Sequence, residues 1–429
     1  MTKSVSRSLK LKTATPSIPT VQAVSQPGER LILFALWLLV FSASSQIMII
    51  SPMLPQIGAQ LKIPEAWQGT LVSSYALMVG VCALVTGPIS DKFGRRRVLL
   101  AGTGLMTLAL ALHAAAASYA ALLLMRALAG AAGGVLSGAA VSYVGDYFPY
   151  ERRGWANGLI MSSTAMGQIL GVPLGTLLAG RYGFRAPFLL FALTMGATFL
   201  LIWRFVPQPK VRRSTGRLTI RVAFKSYVEL LRRPATLAAA ATYALMFLSI
   251  ALYVIYLPTW LTIEHKASPA QIASLFLVGG IANAMTGPAA GKLSDRLGRK
   301  ALILSSCGGL IVLMLSTTFL VRAFWVAYPL FFLLMMFVAA RMSPLQALLS
   351  ALVEDEQRGK LLSLAISVGQ LGFAAGGALA GIAYTRHGYV SNTMAAAVAV
   401  FLMALLVWRY LPEPNLVGRL SAPHIAPVG

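Results

Sequence analysis

Two arginines, Arg126 and Arg341, stand inside stretches that are otherwise apolar. An ionisable side chain at membrane depth is costly and normally faces a bundle interior or an aqueous cavity, so each is a candidate for binding a substrate or relaying charge. Arg126 heads Arg126-x-x-x-Gly130-x-x-x-Gly134, a spacing that lines both glycines on one helical face for close helix contact. It reads in two ways: as a cavity residue, or as a hydrogen-bond hub to a neighbouring span, for instance to Gln46. The acids lie elsewhere. Asp91 and Asp295 occupy two copies of one pattern, Gly87-Pro-Ile-Ser-Asp91-Lys92-Phe-Gly94-Arg95-Arg96 and Gly291-Lys-Leu-Ser-Asp295-Arg296-Leu-Gly298-Arg299-Lys300, at a constant offset of 204. An acid among cations at a membrane edge can latch two helices in one conformation and release them in another, and Gly87 and Gly291 allow the close approach this needs. The turns Glu151-Arg-Arg153-Gly154 and Glu356-Gln-Arg358-Gly359 echo each other too. Arg341 has no such counterpart, since Leu136 stands at the matching position by the 205-residue spacing of these turns, and Arg341 is equally a cavity residue or a packing cation.

Other chemistry is thin. Cys82 and Cys307 both sit in apolar runs, which excludes a disulfide framework or a cysteine zinc site. His113, His265, His387 and His424 lack ligand spacing, and His113, near an outer span end, reads as a satisfied interfacial residue. No phosphate-binding loop, dinucleotide fingerprint or zinc-protease motif occurs. The expectation is a non-enzyme without metal or cofactor.

The elements that position these residues follow from composition. Of 429 residues 57% are hydrophobic and 11% charged, too little charge to bury so many apolar segments in one soluble core. Apolar runs fall at 31–58, 67–89, 98–117, 119–147, 156–180, 184–205, 236–262, 269–293, 301–321, 324–352, 361–384 and 389–410. Each is long enough to span a bilayer, predicting an all-α membrane protein of twelve transmembrane helices in two pseudo-symmetric bundles. The predicted divisions are a disordered basic tail (1–30), a first six-helix bundle (31–205), a linker (206–235), a second bundle (236–411) and a second tail (412–429). With the N-terminus inside, 28 of the 36 Lys and Arg fall on the cytoplasmic side and 6 outside, which places both termini in the cytoplasm. The net charge of +24 is thus mainly an orientation signal, not a nucleic-acid footprint. In the linker, Arg217, Arg221 and Lys225 recur at four-residue spacing, predicting a helix over Leu218–Arg233 lying on the anionic inner leaflet.

The paired Gly-x-x-x-Asp-cation-x-Gly-cation-cation loops resemble the signature loop of the major facilitator superfamily, and the resemblance covers about 30–411. It implies alternating access between pseudo-symmetric halves and a latch formed by Asp91, Arg95 and Asp146, with Gly291, Asp295 and Arg299 as the second copy. The Arg126-Gly130-Gly134 run is similar to the superfamily's span-four motif. Gly167-Gln-Ile-Leu-Gly171-Val-Pro173-Leu-Gly175 resembles its span-five antiporter motif, except that Val172 separates a Gly and a Pro that are usually adjacent. This form resembles the arabinose-efflux-permease-like branch of the twelve-span drug:proton antiporter group. The implied protein is a monomer of the cell inner membrane, a secondary transporter that exports a small organic compound in exchange for protons; a metabolite:proton symporter or uniporter is the alternative, and a non-transporting sensor a weaker one.

No acid lies at the centre of a span, so a permanently positive site around Arg126 favours neutral or anionic amphiphiles over cationic drugs. The candidate pathway residues are Gln46, Arg126, Gln168, Asn283, Arg341, Gln346 and Gln370, with Tyr243, Phe247 and Tyr253 as an aromatic wall; Tyr256 leans towards interfacial anchoring. Asp146 or Asp91 is the expected proton site.

Overall fold

The computed structural model describes residues 27–209 and 220–413. Nearly all of the expected N-terminal tail, the Lys210–Arg217 run and most of the second tail lie outside them. In hydrocarbon the backbone must satisfy its own hydrogen bonds, which an apolar run achieves by becoming helical. The described residues obey this, forming helices and no strands.

The helices are α1 (Pro27–Met48), α2 (Leu54–Leu61), α3 (Glu65–Gln68), α4 (Thr70–Phe93), α5 (Arg95–His113), α6 (Tyr119–Leu136), α7 (Ala139–Tyr147), α8 (Tyr150–Met166), α9 (Val172–Tyr182), α10 (Arg185–Phe205), α11 (Ile220–Leu231), α12 (Pro234–Val254), α13 (Leu257–Glu264), α14 (Pro269–Leu297), α15 (Arg299–Leu320), α16 (Ala327–Ser350) and α17 (Asp355–Tyr410). The pairs α1 with α2, α3 with α4, α6 with α7, α8 with α9 and α12 with α13 each make one broken crossing. At about 1.5 Å per residue, α17 would be roughly 84 Å long, nearly three times a slab of about 30 Å. It folds back at Gly388, whose φ of 67° and ψ of −172° belong to glycine, and so supplies two crossings. Among the described residues nine helical stretches are long and apolar enough to span a membrane, α17 counting once. The fold-back of α17 adds a tenth. α5, led by Arg95-Arg96-Arg97, and α8–α9, which holds Arg152 and Arg153, bring the arrangement into agreement with twelve crossings.

Local signals set the ends. Ser118 caps α6 by accepting from the Ala121 amide, and Ser268 with Gln271 forms a reciprocal capping box at α14. Pro173 cannot donate a backbone hydrogen bond, and just before it Gly167–Gly171 relaxes into a π turn.

The repeat reaches into polar detail. Gly94 and Gly298 adopt φ of 93° and 94°. The amides of Arg96 and Lys300 donate to Gln208 and Glu413, and their side chains to the Trp203 and Trp408 carbonyls. Arg153 and Arg358 each donate Nε to a carbonyl at the end of the preceding crossing, Phe148 and Ser350.

The linker helix α11 ends at Leu231, two residues before the predicted end; the predicted start at Leu218 lies outside the described residues. Its Leu230 packs with Tyr227 against Val353 and Leu361, and the Tyr227 hydroxyl donates to the Leu84 carbonyl of α4. These two residues therefore face the inner edges of α4 and α17 rather than lipid.

Glycines set the closest helix approaches. A Cβ on Gly130 would strike the Tyr75 backbone and one on Gly134 would meet Val79 and Cys82, all on α4. Gly372 meets Ala244 of α12 in the same way. Gly130→Ala should therefore cost about 1–3 kcal/mol through overpacking and lower the melting temperature in detergent. Gly145→Ala, with open space around it, should be neutral or mildly stabilising.

Candidate functional site

Arg126 is completely buried. Its Nε donates to the Leu71 carbonyl of α4 at 3.2 Å, and Nη1 and Nη2 share the Gln46 carbonyl of α1 at 3.4 and 3.3 Å. The guanidinium also lies 4.4 Å from the centroid of the Tyr75 ring. Carbonyl dipoles and an aromatic face are the neutral partners left for a cation in hydrocarbon without a carboxylate. Of its two readings the hub is thus observed, but through the Gln46 backbone. The Gln46 side chain is fully buried, and its amide N and O have no protein partner.

Gln168 and Asn283 meet, with Asn283 Nδ2 donating to Gln168 Oε1 at 2.8 Å between the π turn and α14. Tyr243 stacks on Phe247, which meets Phe373 edge-on, so two of the three wall residues adjoin. Tyr253 turns away and shares a hydroxyl hydrogen bond with Thr317 of α15 at 2.9 Å. Arg341 also faces the interior of the later helices: it donates to Ser249 and Met403 at 3.4 and 3.5 Å and lies against Cys307. Gln370 is buried, while Gln346 is exposed. On α8–α9, Gly167, Gly171 and Gly175 lie against Phe41, Ser45 and Ile49 of the first crossing, and Pro173 is buried beside them.

At the inner edge, Arg95 Nε donates to Asp146 Oδ2 at 2.6 Å, joining α5 to α7. Gly87 and Asp91 lie near the end of α4, and their side chains are outside the described residues. The second copy is built differently. Arg299 reaches the Ala347 carbonyl of α16 at 3.4 Å. Its contact with Asp295 is 3.6 Å, and that carboxylate is 66% exposed; Gly291 lies one turn before it with open space around it.

Three groups escaped the sequence reading. Ser51 donates to the Val254 and Ile255 carbonyls at 3.1 and 2.9 Å. Ser73 donates to the Ala374 carbonyl at 2.6 Å. Tyr256, expected to anchor at the interface, is buried instead: its hydroxyl accepts from the Gly69 amide and donates to the Glu65 carbonyl. All three residues join early helices to late ones, at the halves predicted to lie outside. Between α8 and α14 contact thins: α14 packs along α9 and scarcely on α8, leaving Gly154, Trp155, Gly158 and Met161 of α8 exposed. Between the ends of α1 and α8 lies an opening of about 740 Å³ lined by Phe34, Trp37 and Trp155 together with Arg30, Glu151 and Arg152. His113 is corrected as well. It is fully buried, and its Nε2 has no partner.

Comparison with known proteins agrees with this architecture. The profile of the Major Facilitator Superfamily matches residues 36–334 and, in an overlapping second match, 239–426. The uncharacterized MFS-type transporter YwfA of Bacillus subtilis (strain 168) is 28% identical over 382 residues, covering 89% of this chain and 92% of its own. The multidrug resistance protein MdtG of Proteus mirabilis (strain HI4320) is 25% identical over 398 residues, covering 89% and 96%. Among solved structures, a D-xylose-proton symporter superposes with a TM-score of 0.73 at 17% identity, covering 90% and 98%. The human organic anion transporter MFSD10 (TETRAN) gives 0.68 at 20% identity, covering 89% and 100%. With a family profile spanning most of the chain, a helical arrangement consistent with twelve crossings and a duplicated loop motif, the protein belongs to the Major Facilitator Superfamily of membrane transporters.

Proposed function

We propose that this transporter exports a small organic compound, a neutral or anionic amphiphile, in exchange for protons across a bacterial inner membrane, as a monomer with both termini in the cytoplasm. In this reading residues 31–205 and 236–411 are the two bodies that rock about the linker. The observation that carries it is the asymmetry of polar contacts: Ser51, Ser73 and Tyr256 tie the outer halves of early and late helices together while α8 and α14 part at the inner halves. That is one end state of an alternating machine, open to the cytoplasm. The buried Arg126, held by carbonyls alone, supports a cargo without positive charge. The aromatic opening between α1 and α8 supports an amphiphile drawn from the inner leaflet. Export is further supported by the multidrug resistance named for a relative.

A panel of neutral, anionic and cationic compounds tests this in cells with and without the protein. Expected is lower accumulation of neutral or anionic amphiphiles, abolished by a protonophore. Higher accumulation in the expressing cells would establish uptake and contradict export.

The latch gives a second test. A charge-assisted hydrogen bond such as Arg95–Asp146 contributes about 1.5–3 kcal/mol, enough to shift a two-state population by roughly tenfold or more. Asp146→Asn should slow turnover and change cysteine labelling at the inner ends, whereas Asp295→Asn, at an exposed contact, should do little. Equal effects in the two variants would remove Asp146 from the latch.

A further inference from the structure

We propose that Gln168 and Asn283 form a cargo-recognition site for a neutral carboxamide-like edge, a carbonyl acceptor beside an N–H donor, as in a primary amide, a lactam or a nucleobase. The inference rests on the transport reading above and narrows its cargo class. It starts from an incomplete pair. Two side-chain amides that meet edge to edge make two hydrogen bonds, each donating one and accepting one. Here Asn283 Nδ2 donates to Gln168 Oε1 at 2.8 Å, and no return bond is made among the described residues. Asn283 Oδ1 and Gln168 Nε2 are left over, an acceptor and a donor on neighbouring groups. Turning both amides over leaves one acceptor and one donor all the same.

The pair faces the interior. Ile281 and Met285, two residues to either side of Asn283, are exposed, as is Leu170, two residues beyond Gln168. Two residues turn a helix by about 200°, so Asn283 and Gln168 point away from the faces that those apolar side chains give to lipid. Both are nevertheless only half-buried. Their remaining exposure is therefore to space between the helices. On this side of α14, Gly279 lies against Phe331 and Met335 of α16, and Gly280 against Ile169 of the π turn. Asn283 follows one turn later, between those two directions. Unspent amide groups at membrane depth need water or a polar guest.

The pair also stands where the seam between early and late helices ends. A Cβ on Gly180 would meet Pro269, and one on Gly280 would meet Ile169, so α9 and the π turn lie close along the first half of α14. Past Asn283 the closeness stops: a Cβ on Gly287 or Gly291 of α14, or on Gly154 or Gly158 of α8, would have nothing within 4 Å. Gln168 and Asn283 therefore close the head of the cleft that parts α8 from α14. π turns recur at functional sites, and this one carries Gln168. The two amides come from different six-helix halves. A cargo bound by both gains its full affinity at one spacing of those halves, and a ligand shifts a conformational equilibrium through just such a difference.

The test measures binding to the purified full-length protein in lipid nanodiscs, with probes of one skeleton: 4-pentylbenzamide, its N,N-dimethyl amide and the methyl ester of the same acid. All keep the carbonyl, and only the primary amide keeps the donor. The wild-type protein should bind the primary amide about tenfold more tightly than the other two, the worth of one satisfied hydrogen bond. Gln168→Met and Asn283→Leu, close in size to the residues they replace, should each bring that ratio near one. A pair that only staples the seam would shift all the probes alike and leave the ratio standing in both variants, which would overturn the assignment. A wild-type protein that binds the probes equally, or binds none, would overturn it too. Should neither variant fold, the wild-type ratio decides. Preference for the primary amide in a protein that exports none of the probes from cells would overturn the export reading and leave the site in place, a result distinct from the others.

Discussion

Polar groups in hydrocarbon have no water to fall back on, and much of this structure depends on how the protein satisfies them. A continuous helix closes its own account, but every broken crossing frees carbonyls and amides that need partners. The break between α12 and α13 exposes the Val254 and Ile255 carbonyls, which Ser51 answers. The break between α3 and α4 leaves the Gly69 amide, which Tyr256 answers. Arg126 is the converse case, a donor without an acid that recruits carbonyls from two other crossings. The Ser51 and Tyr256 bonds also join early helices to late ones, so there closing the outer side and satisfying the backbone are one event.

The duplication is deepest where it is structural. Arg153 and Arg358, one in each half, each donate to a carbonyl at the end of the preceding crossing, and Lys62 and Lys266, 204 residues apart, both adopt positive φ after α2 and α13. It lapses at the charged sites. Arg95 has a carboxylate partner 2.6 Å away, whereas Arg299 reaches a carbonyl. The membrane arginines diverge too, Arg126 bridging α1 and α4 while Arg341 sits within the later helices near Ser249 and Met403. Symmetry is kept where both halves need the same hinge and lost where one half holds the ionic work.

Much of the fold could be read from the sequence because hydrocarbon permits so few solutions. Apolar runs and the duplicated Gly, Ser, Asp and cation positions specify helices and repeat. Arg126 was also legible, since a charge in an apolar run has few bland explanations. The seal was not. Ser51 and Ser73 look like neutral helix residues, and their roles come from carbonyls about 200 and 300 positions away. Tyr256 carries the signature of an interfacial anchor, and only the approach of Gly69 shows otherwise. His113 was discounted because a lone histidine carries no spacing signal; its burial and unpaired nitrogen are tertiary facts. Tyr243 and Tyr253 part for a similar reason: they share a helix, and periodicity alone does not say which neighbour each one faces.

The central claim is that the outer seal and the inner opening alternate. Paired spin labels test it directly, one pair at exposed Lys62 and Lys266 on the outer side and one at exposed Tyr150 and Lys292 on the inner side. Across a range of pH, with and without cargo, the account predicts that the outer distance lengthens as the inner one shortens, with two populations exchanging weight. Two distances that stay fixed under every condition, or that lengthen together, would contradict it.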